Sequence, residues 1–204
     1  MRTLCVASLL LPALAASAGD EAARDKVGQD AFVAYLRKEH PGKRCQSGPS
    51  RLNAAAVRAA YGNRRFYFVF SKPPLPPGAT IKSVQDAYRR KVEDIRKNHI
   101  SLTAAVDEEG NVVPLLKPAD FDGGLMKVRS GEDARTAAAA ILSLFGSGQN
   151  GPGAVEAREV SVTKGKEGWE CEVHRKDAFQ GRVAFDASGK CVAVSKAYAG
   201  PLPK

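Results

Sequence analysis

The stretch that decides the fold is VEAREVSVTKGKEGWECEVHRKDAFQGRVAFDASGKCVAVSKAY, Val155 to Tyr198. Apolar and polar residues alternate through it in short runs, and each run closes on a glycine-, aspartate- or serine-bearing turn. That pattern predicts strands at Val155–Thr163, Trp169–Arg175, Arg182–Phe185 and Cys191–Tyr198. The turns between them are 164–168, 176–179 and 187–189. Such short turns force consecutive strands to lie antiparallel, so the C-terminal third reads as a four-stranded meander.

Immediately upstream, Glu132 to Phe145 is rich in alanine, with Ala134, Ala138, Ile141, Leu142 and Phe145 on one predicted face. Four glycines and a proline in 146–153 end that helix. A helix followed by four strands, over about residues 131–198, is similar to small periplasmic modules of the PepSY or cystatin-like kind. The similarity lies in element order alone, and no functional residue comes with it.

Farther upstream the periodicities alternate between helix and strand. Asp25–Glu39 predicts a helix with Val27, Ala31, Ala34 and Tyr35 on one stripe and Phe32 and Leu36 on the next. A short helix is expected at Asn53–Ala60, capped by Asn53 and ended by Gly62. Arg65–Phe70 is the clearest strand: Phe66, Phe68 and Phe70 alternate with Tyr67 and Val69, so both faces should be covered. The 73–78 stretch, with five prolines or glycines around Leu75, enforces an extended loop. Ser83–Asn98 predicts an amphipathic helix on the stripe Ile81, Val84, Tyr88, Val92, Ile95, His99. A hairpin follows, out through Ile100 to Val106, around 107–111, and back through Val112 to Leu116; Pro114 lacks a donor and places the returning strand at an edge. The fold class is therefore α+β, helices packed on mainly antiparallel sheet. The domain reading is a single unit over 19–204, with two lobes dividing near 118–131 as the alternative.

The N-terminus carries Arg2, an apolar run from Leu4 to Ala16, and Ala16-Ser17-Ala18 before Gly19-Asp20-Glu21. This is the tripartite pattern of an export signal, residues 1–18, with cleavage expected after Ala18. The run falls short of the about 20 apolar residues a spanning helix needs. The expected location is periplasmic or secreted. Removing 1–18 takes away Arg2, Cys5 and no acid, so the net charge of +9 becomes +8.

Such a charge favours polyanionic neighbours, including lipid head groups and acidic polysaccharide. The basic residues are nevertheless spread among acids, and the densest runs, Arg64-Arg65 and Arg89-Arg90-Lys91, are too short to specify nucleic acid. The expected partner is an anionic polymer or another extracytoplasmic protein. Cys45, Cys171 and Cys191 remain after processing, an odd number. A turn centred between Asp177 and Ala178 would set Cys171 opposite Ala184. One centred between Ala187 and Ser188 would set Cys191 opposite the same residue, two strands and about 9.5 Å away. That exceeds the about 7 Å a disulfide tolerates, so Cys171 and Cys191 are expected not to bond to each other.

No catalytic or cofactor signature is present. His40, His99 and His174 stand apart, no cysteine–histidine cluster has zinc-ligand spacing, and no G-x-S-x-G occurs. The glycine-rich 146–153 segment lacks a Gly-Lys-Ser/Thr ending and leaves a helix instead of opening one. Asp120 and Asp122 lack the distal acid of a calcium loop. No catalytic residue, cofactor or metal ligand is therefore assigned. The functional expectation is an exported, non-enzymatic binding module; the alternative is an extracytoplasmic hydrolase with dispersed catalytic residues.

Overall fold

The computed structural model describes residues 11–43, 50–69, 100–145, 154–175 and 179–198, with the backbone alone for 11–19, 197 and 198. The expected loop at 73–78, helix at 83–98, connector at 146–153 and the turn residues 176–178 lie outside these, as do Cys45, Phe70 and His99.

The chain is α+β, with two four-stranded antiparallel sheets. Helix α1 (Leu11–Glu39) precedes β1 (Ser50–Arg51), α2 (Ala55–Tyr61), β2 (Arg65–Val69), β3 (Leu102–Val106) and β4 (Val112–Pro114). After a 3-10 turn at Pro118–Asp122 come α3 (Gly131–Phe145) and, beyond a second 3-10 turn at Ala157–Glu159, the strands β5 (Ser161–Lys164), β6 (Gly168–His174), β7 (Phe179–Asp186) and β8 (Cys191–Tyr198). The first sheet is ordered β1-β2-β3-β4 and the second β5-β6-β7-β8. The C-terminal meander is thus as the turn spacing requires, and Pro114 lies on an edge strand.

Strand β2 separates two apolar cores. Its Tyr67 and Val69 join Leu102, Ala104 and Val106 against Phe32 of α1. Its Phe66, with Ala105, faces the opposite way, into a core shared with α2, α3 and the inner face of the second sheet. Apolar side chains on both faces of this strand are explained by cover on both sides. On α1 the buried face is Gly28 and Phe32, flanked by Ala31, Tyr35 and Leu36, whereas Val27 is 59% exposed. The expected stripe is therefore rotated, because the larger Phe32 takes the position against Tyr67.

Helix α3 is buried on more than one face. Ala134, Ala137, Ala138, Ala139, Ala140, Ile141 and Leu142 are all buried, while Phe145 is only partly so. Alanine permits this: small side chains let α2 and the second sheet approach from different sides. Gly181 of β7 takes part in the approach, since a Cβ there would stand 2.8 Å from a Leu142 methyl. The helix opens on a reciprocal cap, in which Ser130 N–H donates to Asp133 Oδ2 (2.9 Å) and Asp133 N–H to Ser130 Oγ (3.1 Å). It closes where Lys196 Nζ donates to the Phe145 carbonyl at 3.2 Å. At α2 the cap position is Ala54, with no side-chain bond; Asn53 instead accepts from Arg58 Nη1 at 2.7 Å.

The meander register corrects the sequence reading by one residue. Cys171 pairs with Val183, not Ala184. A one-residue slip reverses every side chain, and only the observed register turns both Cys171 and Val183 into the α3 core, each wholly buried. A β-bulge then shifts β8: Ala184 pairs with Ala193 and Phe185 with Cys191, which leaves Val192 unpaired and 55% exposed. Cys191 accordingly lies opposite Phe185. Both thiols are free and buried, two strands apart. No helix among the described residues is long and apolar enough to cross a membrane.

Candidate functional site

Three groups of polar side chains stand out. The first centres on Asp25, at the point where α1 docks on the first sheet. Arg51 Nη1 donates to Asp25 Oδ2 at 2.8 Å and to Glu21 Oε1 at 3.0 Å. The Tyr67 hydroxyl lies 3.1 Å from both Asp25 Oδ1 and the Asp25 carbonyl. Arg65 Nε is 3.7 Å from Oδ1, within ion-pair range but without a hydrogen bond. Burial, then the hydrogen bond with Asp25, pushes the Tyr67 hydroxyl up to about 12. A carboxylate shared among two guanidiniums and a phenol has its lone pairs engaged, and a phenol this reluctant to ionise is a poor base near neutrality. The cluster fastens α1 to the sheet.

The second group lies beneath the 118–122 turn. Tyr61 Oη donates to the Phe121 carbonyl at 2.8 Å, and Cys191 N–H donates to Asp122 Oδ1 at 2.8 Å. Burial raises the Tyr61 phenol, and it lifts the Cys191 thiol to about 12, with the Asp122 charge adding to the latter. Cys171 is raised to about 12 by burial. Thiols held neutral in this way are packing groups, not nucleophiles.

The third group is a surface. In a meander, the first and third turns fall at the same end of the sheet. Gly168 pairs with Asp186, so the β5–β6 hairpin and the β7–β8 turn are neighbours. The segment leading into α3 joins them: a Cβ on Gly189 would stand 2.7 Å from the Val128 carbonyl, and one on Gly131 would stand 3.4 Å from the Trp169 ring. Lys127, Arg129, Lys164, Lys166 and Lys190 all lie in these three segments, and all are exposed. Lys164 Nζ sits 5.2 Å from the centroid of the half-buried Trp169 ring.

The acids here are disposed differently. Asp186 Oδ1 accepts from Ser188 N–H (2.8 Å), Ser188 Oγ (2.7 Å) and Lys190 N–H (3.0 Å). Asp133 Oδ2 accepts from the amides of Arg129 and Ser130, at 3.0 and 2.9 Å. Ser188 first, then the Lys190 amide, holds Asp186 below the usual carboxylate range; the Arg129 amide, then Ser130, does the same for Asp133. These carboxylates are committed to turns and a cap, while the basic side chains extend into solvent. Glu167 and Glu132 are the exposed acids here, and Glu132 pairs with Arg135 Nη1 at 3.0 Å. The result is a positive rim that net charge and local runs did not disclose, since its members are far apart in sequence. The legible signal was topological: Lys164 and Lys166 in one turn, Lys190 at the end of another, brought together by the alternation of a meander.

His174 is exposed on the outer face of the second sheet, 3.4 Å from Glu172, whose neighbour Arg182 also pairs with Glu170 at 2.6 Å. His40 follows α1, edge-on to Tyr35. The two histidines do not join any of the three groups. Among the described residues, no three His, Cys, Asp or Glu side chains converge as a metal centre. Asp120 is occupied by the amides of Leu116 and Lys117, each at 2.9 Å. No protein-family model, no curated protein and no solved structure matches this chain.

Proposed function

We propose that this chain is an exported, non-enzymatic binding module that meets an anionic partner through the rim formed by segments 127–131, 164–168 and 186–190. The observation that carries the reading is the unequal disposition of charge there. Five basic side chains reach outward, while Asp133 and Asp186 are turned onto main-chain amides. A field of this kind attracts and orients an anionic partner without a pocket. The tripartite N-terminus supports export, with the body of the protein starting at Gly19.

Affinity capture from the extracytoplasmic fraction, with the chain from Gly19 onward as bait, tests the proposal. A partner held at low salt and released at high salt supports it, because screening shortens the range of exposed charges to a few ångströms. Capture that survives high salt, or exported protein that still begins at Met1, overturns it.

A further inference from the structure

We infer that the basic rim docks on an anionic lipid surface. The inference rests on the reading of the rim as the contact face, and adds the class of partner. Its first support is shape. The three segments meet at one end of the second sheet, fixed against one another through Gly168–Asp186, Gly189–Val128 and Gly131–Trp169, and the five bases they carry are all exposed there. A broad, shallow array suits an extended charged plane better than a single bound anion.

Its second support is residue type. Four of the five bases are lysines. Lysine is a hydrated point charge on a flexible stem and lacks the planar fork with which arginine grips one phosphate or carboxylate. A diffuse set of roughly four to eight such charges is what head-group attraction requires. The third support is what the rim omits. Among the described residues the exposed large apolar side chains are Val27, Val113, Leu116 and Val192, and Val192 is the one adjoining a rim segment. Trp169 is held between Lys164 and Gly131 and is not free to insert. Docking should therefore be superficial, reversible and governed by salt.

Trp169 is the sole tryptophan of the chain and lies in the rim, so its fluorescence reports the event directly. The test uses the chain from Gly19 onward with phosphatidylcholine vesicles, with and without phosphatidylglycerol, read by co-sedimentation and Trp169 emission. The expected result is binding to the anionic vesicles alone, at low salt. The triple variant K127E/K166E/K190E should reduce partitioning about tenfold or more, and K127A/K166A/K190A should fall between it and the parent. R24E/R37E/K38E, with the same change of charge on exposed positions of α1, should bind as the parent does. Thermal melts by circular dichroism check that each variant is folded. Equal binding to neutral vesicles, or equal loss in the rim and α1 variants, overturns the inference. Heparin-agarose retention forms the second arm. If the parent is retained there and the rim variant is not, while neither binds vesicles, the lipid assignment fails and the rim stands; loss of both arms removes the rim as well.

Discussion

Asp25 satisfies Arg51, approaches Arg65 and meets the Tyr67 hydroxyl, and each contact joins α1 to a strand from a distant part of the sequence. Removing the hydroxyl alone isolates one term. Tyr67→Phe keeps the ring against Phe32 and should cost about 1.5–3 kcal/mol in urea unfolding, the net value of one hydrogen bond to a charged group after solvent exchange. Nothing in the sequence flagged Asp25, because its partners lie 26 to 42 residues away and no local spacing encodes them. Aromatic alternation in β2, by contrast, is a local signal, and it was legible over Arg65–Val69. At the same scale, the thiols of Cys171 and Cys191, both raised to about 12 by burial, leave a thiolate fraction of about 10⁻⁴ at pH 8. Peptide mapping after iodoacetamide at that pH should find both unmodified in the native protein and both labelled in denaturant.

Among the elements, α1 shows how packing overrides propensity. Gly28 is buried, and a Cβ there would run into the Tyr67 hydroxyl and stand 2.8 Å from ring carbons. In an open helix, glycine to alanine gains about 1 kcal/mol. Here the hydroxyl is held by Asp25 and has little room to retreat, so Gly28→Ala should destabilise the protein by about 1–2 kcal/mol. A urea midpoint higher than the parent's would refute this. The elements best read from sequence were those whose signal is periodic: β2, the β3–β4 hairpin, α3 and the last three strands of the meander. The strand expected at Val155–Thr163 is instead confined to Ser161–Lys164, because Ala157–Glu159 close a 3-10 turn on the Glu156 and Glu159 cap. The register between β6 and β7 was not legible, because turn residues bound a pairing to within one position and core facing decides the rest. The bulge at Val192 likewise arises from the fit of β8 onto β7, with Asp122 holding the Cys191 amide from outside the sheet. The start of α1 at Leu11 was missed for a different reason: the apolar run there reads first as an export signal.

For the whole molecule, the titrating groups define two flanks of stability. Asp107, Asp133, Asp186 and Glu159 are all held below their ordinary range; the Asn111 side chain is the main cause for Asp107 and Arg175 for Glu159. A carboxyl depressed in the folded state contributes stability above its unfolded value near 4 and loses it as pH falls through the folded value. Tyr67, Cys171 and Cys191 are raised, so their contribution is complete below their unfolded values and is lost as pH climbs toward about 12. Urea midpoints should therefore be highest near neutrality, fall below about pH 4, and fall again above about pH 9, where unfolded thiols ionise first. A flat profile from pH 7 to 11 would contradict the burial of the thiols.

Because β2 and β3 partition the interior, the layer beneath α1 is the smaller among the described residues, with Phe32 as the wholly enclosed side chain of the helix there. Local opening free energies follow the apolar area that must be re-wetted, so α1 should detach as its own cooperative unit while α3 and the meander stay closed. Deuterium uptake by peptides within 25–39 should then run ahead of uptake in 134–144, and Tyr67→Phe should widen that interval by loosening only the outer layer.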